Sequence, residues 1–148
     1  MDVLTILRGL TVMLILSAGL VAAHPIATGA PAQAAGDVKK GKKVFAKCKA
    51  CHKTVAGKKG VGPNLNGLFG RTAGTLAKFK YSKDMKAAGA KGLVWNEKTL
   101  FTYLKNPKPF VGSFIGKKKA KTRMVFKGLK KEKDRANLIA YLKEATAK

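Results

Sequence analysis

Cys48-Lys49-Ala50-Cys51-His52 places two thiols three residues apart and an imidazole directly after them. At this spacing two thiols can add across the two vinyl groups of one porphyrin edge. The following imidazole then ligates the iron through a neutral ring nitrogen. A thioredoxin-like redox pair would want a βαβ context, and no such pattern is visible. A zinc site would need four ligands. His24 falls in the leader and His52 is the only other histidine, so no second pair completes one. Covalent haem is the chemistry the motif points to. Its iron needs a sixth ligand, and the only methionines beyond the leader are Met85 and Met124. A soft thioether favours reduced iron and raises the potential. Met85 sits in a short amphipathic stretch, where packing is the usual work of a methionine. Met124 lies in an irregular basic stretch far along the chain. Position favours Met124 and leaves Met85 open.

The first residues read as a secretory leader. Arg8 precedes the apolar run Leu10 to Ala23, and no charged residue occurs from Gly9 to Gly36. As a helix this run spans roughly 21 Å, short of a bilayer core of about 30 Å. Ala32-Gln33-Ala34 then offers a small-residue cleavage site, with Val21-Ala22-Ala23 as a second. Residues 1–34 are expected to be a signal peptide, and 35–148 a single domain. The rival reading is an uncleaved anchor with His24 to Ala35 as a tether. Haem attachment outside the cytoplasm requires export, so leader and motif agree.

The net charge is +24, and it stays so without the leader, which holds Asp2 and Arg8. Such a charge keeps a small domain soluble and speeds encounter with acidic surfaces. Nucleic acid is not the expected partner, because the chain is exported and lacks aromatic platforms. The domain is small enough that its core should be thin and a cofactor welcome. Two cysteines this close cannot staple a fold through a long loop.

Helical elements must position the motif. Asp37 to Ala50 reads as a helix, with Val38, Gly41, Phe45 and Cys48 on one stripe. His52 to Lys80 is rich in glycine and reads as a loop long enough to wrap a ligand. Ser82 can cap a short helix ending at Gly89. Asn96 can cap another to about Lys105, with Trp95 and Leu100 as a hydrophobic staple. Pro107 prevents its continuation. Pro109 to Lys121 reads as a second, basic loop. Glu132 to Ala147 reads as the last helix, with Leu138, Tyr141, Leu142 and Ala145 as its apolar stripe. No strand pattern is strong enough to build a sheet.

Beyond the haem motif, the chain carries Gly36-Asp37-Val38 with Gly41-Lys42-Lys43-Val44-Phe45, then Gly62-Pro63-Asn64-Leu65-Asn66-Gly67-Leu68-Phe69-Gly70-Arg71 and Tyr81-Ser82. Trp95, Tyr103-Leu104-Lys105-Asn106-Pro107, Thr122-Arg123-Met124 and Asp134 to Leu142 follow in order. From about Gly36 to Lys148 the chain resembles class I cytochromes c, especially bacterial cytochrome c2 and its mitochondrial relatives. The resemblance implies an all-α class I cytochrome c fold. Three main helices, short helices and long loops would wrap around one haem c bound through Cys48 and Cys51. It implies Met124 as the axial sulfur opposite His52, and a Pro63 carbonyl orienting His52. Tyr103 would bond near the Met124 sulfur, and Thr122 would brace the same loop. Tyr81, Trp95 and Arg71 would hold one haem propionate. Gly41 and Phe45 would pack on Leu138 and Tyr141 where the first and last helices cross. Two departures stand out. Tyr81 to Trp95 and Pro107 to Met124 are longer than in mitochondrial forms, and Met85 falls where those forms tend to carry Asn.

With both axial positions filled, iron would have no open site, leaving one-electron exchange at the haem edge. General acid–base work most often needs a histidine, and the only one outside the leader would be on the iron. Asp37, Asp84, Glu97, Glu132 and Asp134 stand near expected helix starts, where the dipole accounts for them; Glu144 is the remaining carboxylate. The expected function is a periplasmic, monomeric electron carrier between respiratory or photosynthetic membrane complexes. The family implies quinol–cytochrome c reductase and cytochrome c oxidase as acidic partners. A photosynthetic reaction centre or a periplasmic dehydrogenase is a further option. Lys47, Lys49, Lys53, Lys58, Lys59, Lys118, Lys119 and Lys121 would ring the haem edge and steer docking. The alternatives are a membrane-anchored carrier, or a ligand sensor or peroxidase, which would require Met124 to leave the iron.

Overall fold

Asp37 starts the first helix from outside it. Its carboxylate accepts from the Lys40 backbone N–H at 2.9 Å, an N-cap rather than the first-turn position expected from sequence. A computed structural model describes residues 35–147 of the chain. The expected leader at 1–34, cleaved or anchoring, lies outside the described residues. The helices are α1 (Val38–Phe45), α2 (Lys83–Ala90), α3 (Glu97–Lys105), α4 (Pro107–Phe114) and α5 (Glu132–Ala145). Among the described residues there is no strand, only an isolated antiparallel bridge between Thr72 and Val94. No helix among them is long and apolar enough to cross a membrane.

α1 ends at Phe45, short of the Ala50 expected, but its hydrogen bonding continues in tight turns. Cys48 N–H donates to the Phe45 carbonyl, and His52 N–H to the Cys48 carbonyl. The motif therefore hangs from the end of α1 as one rigid run. α1 and α5 cross closely. A Cβ at Gly41 would strike the backbone carbonyl of Asn137 and the Cβ of Tyr141, so only glycine permits this approach. Phe45 packs its ring on Tyr141 with centroids 5.2 Å apart. The Asp37 N–H donates to the Asn137 side-chain oxygen at 2.8 Å. Leu138, Ile139 and Leu142 of α5 are buried, each worth about 1.5–3 kcal/mol.

α3 has a reciprocal cap. Thr99 N–H donates to the Asn96 side chain at 2.9 Å, and Asn96 N–H to the Thr99 hydroxyl at 2.9 Å. Trp95 and Leu100 are buried on either side of it, as a staple requires. α4 is a correction to the sequence reading, which took Pro109 to Lys121 as loop. Pro107 does end α3, but it also stands at the first position of a new helix. There its missing N–H costs nothing and its fixed φ suits the start. Phe110, Val111, Phe114 and Ile115 then recur at helical spacing. Val111 is fully buried, and Phe110 and Phe114 stack edge to face at 5.4 Å. α4 packs on both α2 and α3.

Candidate functional site

The ten residues singled out from the sequence all line a single cavity of about 360 Å³. Its walls come from the end of α1, α2 and the loops on either side of it, the α3 helix, the 122–126 segment and one face of α5. Most of the lining is apolar, including Phe45, Leu68, Leu100, Leu138 and Leu142.

His52 is half-buried, and its Nδ1 lies 2.8 Å from the Pro63 carbonyl oxygen. A carbonyl can only accept, so Nδ1 carries the proton and Nε2 is left with its lone pair free to ligate. Two backbone bonds fix this pairing. Gly62 N–H donates to the Cys51 carbonyl at 2.9 Å, and Leu65 N–H to the Lys53 carbonyl at 2.8 Å. A Cβ at Gly62 would meet the imidazole ring itself. Glycine is therefore what lets the Pro63 loop close over the histidine.

Both thiols are free, Cys48 half-buried and Cys51 exposed. Burial pushes the Cys48 thiol above its ordinary value; Lys47 opposes this and Cys51 adds to it. A thioredoxin-like pair sits in a βαβ unit, and among the described residues there are helices and one isolated bridge but no such unit.

In the same cavity, the Tyr103 hydroxyl donates to the Met124 sulfur at 3.5 Å. Tyr103 is buried, and burial pushes its phenol far above the usual range, so it remains a donor. Its ring is backed by Trp95 at 4.9 Å and by Phe110 of α4 at 6.0 Å. The Thr122 hydroxyl donates to the Met124 carbonyl at 3.3 Å, bracing the loop from within. Met85 is buried and lines the same cavity.

Arg71 places its guanidinium on three carbonyls: Asn64 at 2.9 Å, Asn66 at 2.7 Å and Gly67 at 3.3 Å. It thereby pins the loop that follows Pro63. Two of its five N–H donors remain for other partners. Burial pushes the Tyr81 phenol up, opposed by the neighbouring Arg71 charge. Trp95 reaches the cavity through the bridge region, where its N–H donates to the Arg71 carbonyl at 2.9 Å and its carbonyl accepts from Gly70 at 2.8 Å.

Asp84 was accounted for in the sequence only as a helix-start charge. In the fold its carboxylate is buried and accepts from Lys117 Nζ at 2.8 Å and from the Lys121 backbone N–H at 2.6 Å. These two bonds hold it below the ordinary carboxylate value. Its partners lie 33 and 37 residues away, beyond the reach of any local pattern. Arg135 is likewise buried, donating to the Leu129 and Lys130 carbonyls at 2.8 Å beneath Phe101.

These residues fit a covalently held haem. Two thiols at the correct spacing stand at the edge of an apolar slot, an oriented imidazole nitrogen is free, and a thioether with a single fixed donor lies in the same cavity. Bound there, haem supplies one-electron redox chemistry. The fold and site define an electron-carrying cytochrome of the covalent-haem class. The cytochrome c family profile matches residues 38–146, and the chain belongs to that family, carrying one haem c through Cys48 and Cys51. It is 52% identical to a cytochrome c2 of Afifella marina over 104 residues, 70% of this chain and 77% of that one. It is 50% identical to a cytochrome c of Chlamydomonas reinhardtii, covering 76% of this chain and 93% of that one. A solved cytochrome c2 from Rhodobacter sphaeroides superposes with a TM-score of 0.70 at 43% identity, covering 76% of this chain and 98% of that one. A cytochrome c2 from Rhodospirillum centenum gives 0.69 at 41%, covering 75% and 99%.

Proposed function

We propose that this chain is an exported, periplasmic electron carrier whose haem iron is held between His52 and Met124. One observation carries the reading: His52 and Met124 line the same cavity, and each already has the partner a ligand needs, Pro63 for one and Tyr103 for the other. Iron closed on both sides exchanges electrons and does not bind oxygen or peroxide. Arg71, Tyr81 and Trp95 would hold one haem propionate, and Thr122 would brace the ligand loop.

The surface supports weak, charge-steered docking. Lys47, Lys49, Lys58, Lys59, Lys118, Lys119 and Lys121 are exposed and Lys53 is half-buried. Lys47, Arg123, Val61 and Val125 all line the cavity, and the two valines are 83% and 100% exposed. Exposed valines and cations on the lining of one cavity suit a small contact that forms and dissolves quickly. The partners would be acidic redox complexes, a quinol–cytochrome c reductase and a cytochrome c oxidase first. A photosynthetic reaction centre or a periplasmic dehydrogenase would dock by the same physics. The carrier would act as a monomer.

The test is the reduction potential and the ferric methionine–iron charge-transfer band of the haem-loaded protein. Met124→Ala should lose the band and lower the potential sharply, while Met85→Leu keeps both. Loss of the band in Met85→Leu alone would move the sulfur ligand there. The electron-transfer rate with an acidic partner should fall steeply with salt, and a flat response would remove the steering argument. The mass of the mature N-terminus would decide between cleavage and anchoring.

A further inference from the structure

The segment that carries Met124 is tied down at residues that do not line the cavity. Lys117 N–H donates to the Gly112 carbonyl at 3.0 Å, and Ala120 N–H to the Lys108 carbonyl at 2.9 Å, fixing residues 117–120 to α4. Ala120 is buried there. The chain then leaves α4 and runs three more residues to Met124. At the departure point, Asp84 of α2 takes hold with both oxygens: Oδ1 accepts from Lys117 Nζ at 2.8 Å and Oδ2 from the Lys121 N–H at 2.6 Å. The residue is only 8% exposed. The next residue, Met85, lines the haem cavity itself. One carboxylate thus joins the cavity wall on α2 to the root of the ligand loop.

We propose that Asp84 is a positioning residue that keeps Met124 on the haem iron by anchoring the root of its loop; this rests on Met124 being the axial ligand. Residues 122–126 are exposed or half-buried. Across the loop the side-chain bonds are the Thr122 hydroxyl to the Met124 carbonyl and the Tyr103 hydroxyl to the Met124 sulfur. Opening the segment breaks the proposed iron–sulfur bond and these contacts locally, below global unfolding. The root contributes to that cost by limiting how far the segment can swing away. Charge-assisted bonds from a buried carboxylate are stronger than neutral ones, so losing them should populate the open loop. Any external ligand for iron binds in proportion to that open fraction.

Imidazole is the probe, because it competes with the methionine for ferric iron and is read optically. In the haem-loaded protein, Asp84→Ala should tighten the apparent imidazole affinity about tenfold. Asp84→Asn retains an oxygen for the Lys121 N–H and should shift it less. Glu97→Ala, which breaks the exposed Lys143–Glu97 pair, should leave it unchanged. Unchanged affinity in both Asp84 variants overturns the proposal, as does an equal shift in Glu97→Ala. If Asp84→Ala fails to take up haem, Asp84→Asn against Glu97→Ala decides by the same criteria. A wild-type ferric protein without the methionine–iron band overturns the Met124 reading and the proposal together. A band that is present and lost in Met124→Ala, with affinity indifferent to Asp84, overturns the proposal alone.

Discussion

The Tyr103 hydroxyl points at the Met124 sulfur from 21 residues away in sequence, at 3.5 Å. The tyrosine reaches it because α3 is capped and stapled at Asn96, and because Phe110 of α4 backs its ring. A donor to sulfur draws electron density from the thioether. With Met124 on iron, that weakens its support of the ferric charge and favours the ferrous state.

Tyr103→Phe should therefore lower the reduction potential while leaving the methionine–iron band in place. The sulfur left behind is a weak acceptor, so stability should change by less than about 1 kcal/mol. Potentiometric titration of the two proteins checks this, and a raised potential would contradict it.

Stability should also fall in alkali. Burial raises the folded Tyr103 phenol well above its ordinary value of 10.0. Above that pH the unfolded chain gives up a proton that the folded chain keeps, so the unfolded state binds fewer protons. Stability then declines with rising pH, from the ordinary value up to the folded one. Tyr103→Phe should reduce this slope without abolishing it, because burial raises Tyr81 too. Urea midpoints at about pH 9 and about pH 11 would measure it, and identical slopes in both proteins would exclude the effect.

Gly41→Ala tests the helix crossing. Alanine favours a helix interior over glycine by about 1 kcal/mol, but its Cβ would strike the Asn137 carbonyl, which is backbone and cannot rotate away. Overpacking of this kind costs about 1–3 kcal/mol, so the net effect should be destabilising. Thermal unfolding of the haem-loaded protein gives the sign, and a stabilised variant would mean the helices part easily.

Removing both thiols should remove the fold. Cys48→Ala with Cys51→Ala leaves nothing to hold haem covalently in a cavity of about 360 Å³. At about 24 cal/mol per Å³, emptying it costs up to about 9 kcal/mol, which rivals the 5–15 kcal/mol of a whole domain. The solvent-facing mouth makes this an upper bound. Far-UV circular dichroism of the double variant should show an unfolded chain; a native spectrum would show the core sufficient without haem.

Much of this protein could be read from neighbours in the chain. The haem motif is five consecutive residues. The caps at Ser82 and Asn96 act over three residues, and the α5 stripe shows as a periodicity. α4 carries conflicting local signals. Pro107 at a helix start and the spacing of Phe110, Val111 and Phe114 favour a helix, proline and glycine around them favour a loop, and burial of one face decides for the helix.

By itself the sequence determined the covalent chemistry, because two thiols and an imidazole at short spacing suffice to define it. The tertiary structure alone decided which groups meet: Nδ1 of His52 with the Pro63 carbonyl, Tyr103 with Met124, and Asp84 with Lys117 and Lys121. These contacts join residues 11 to 37 apart. Their partners are chosen by how helices and loops pack, and no periodicity or motif in the chain encodes a distance between elements.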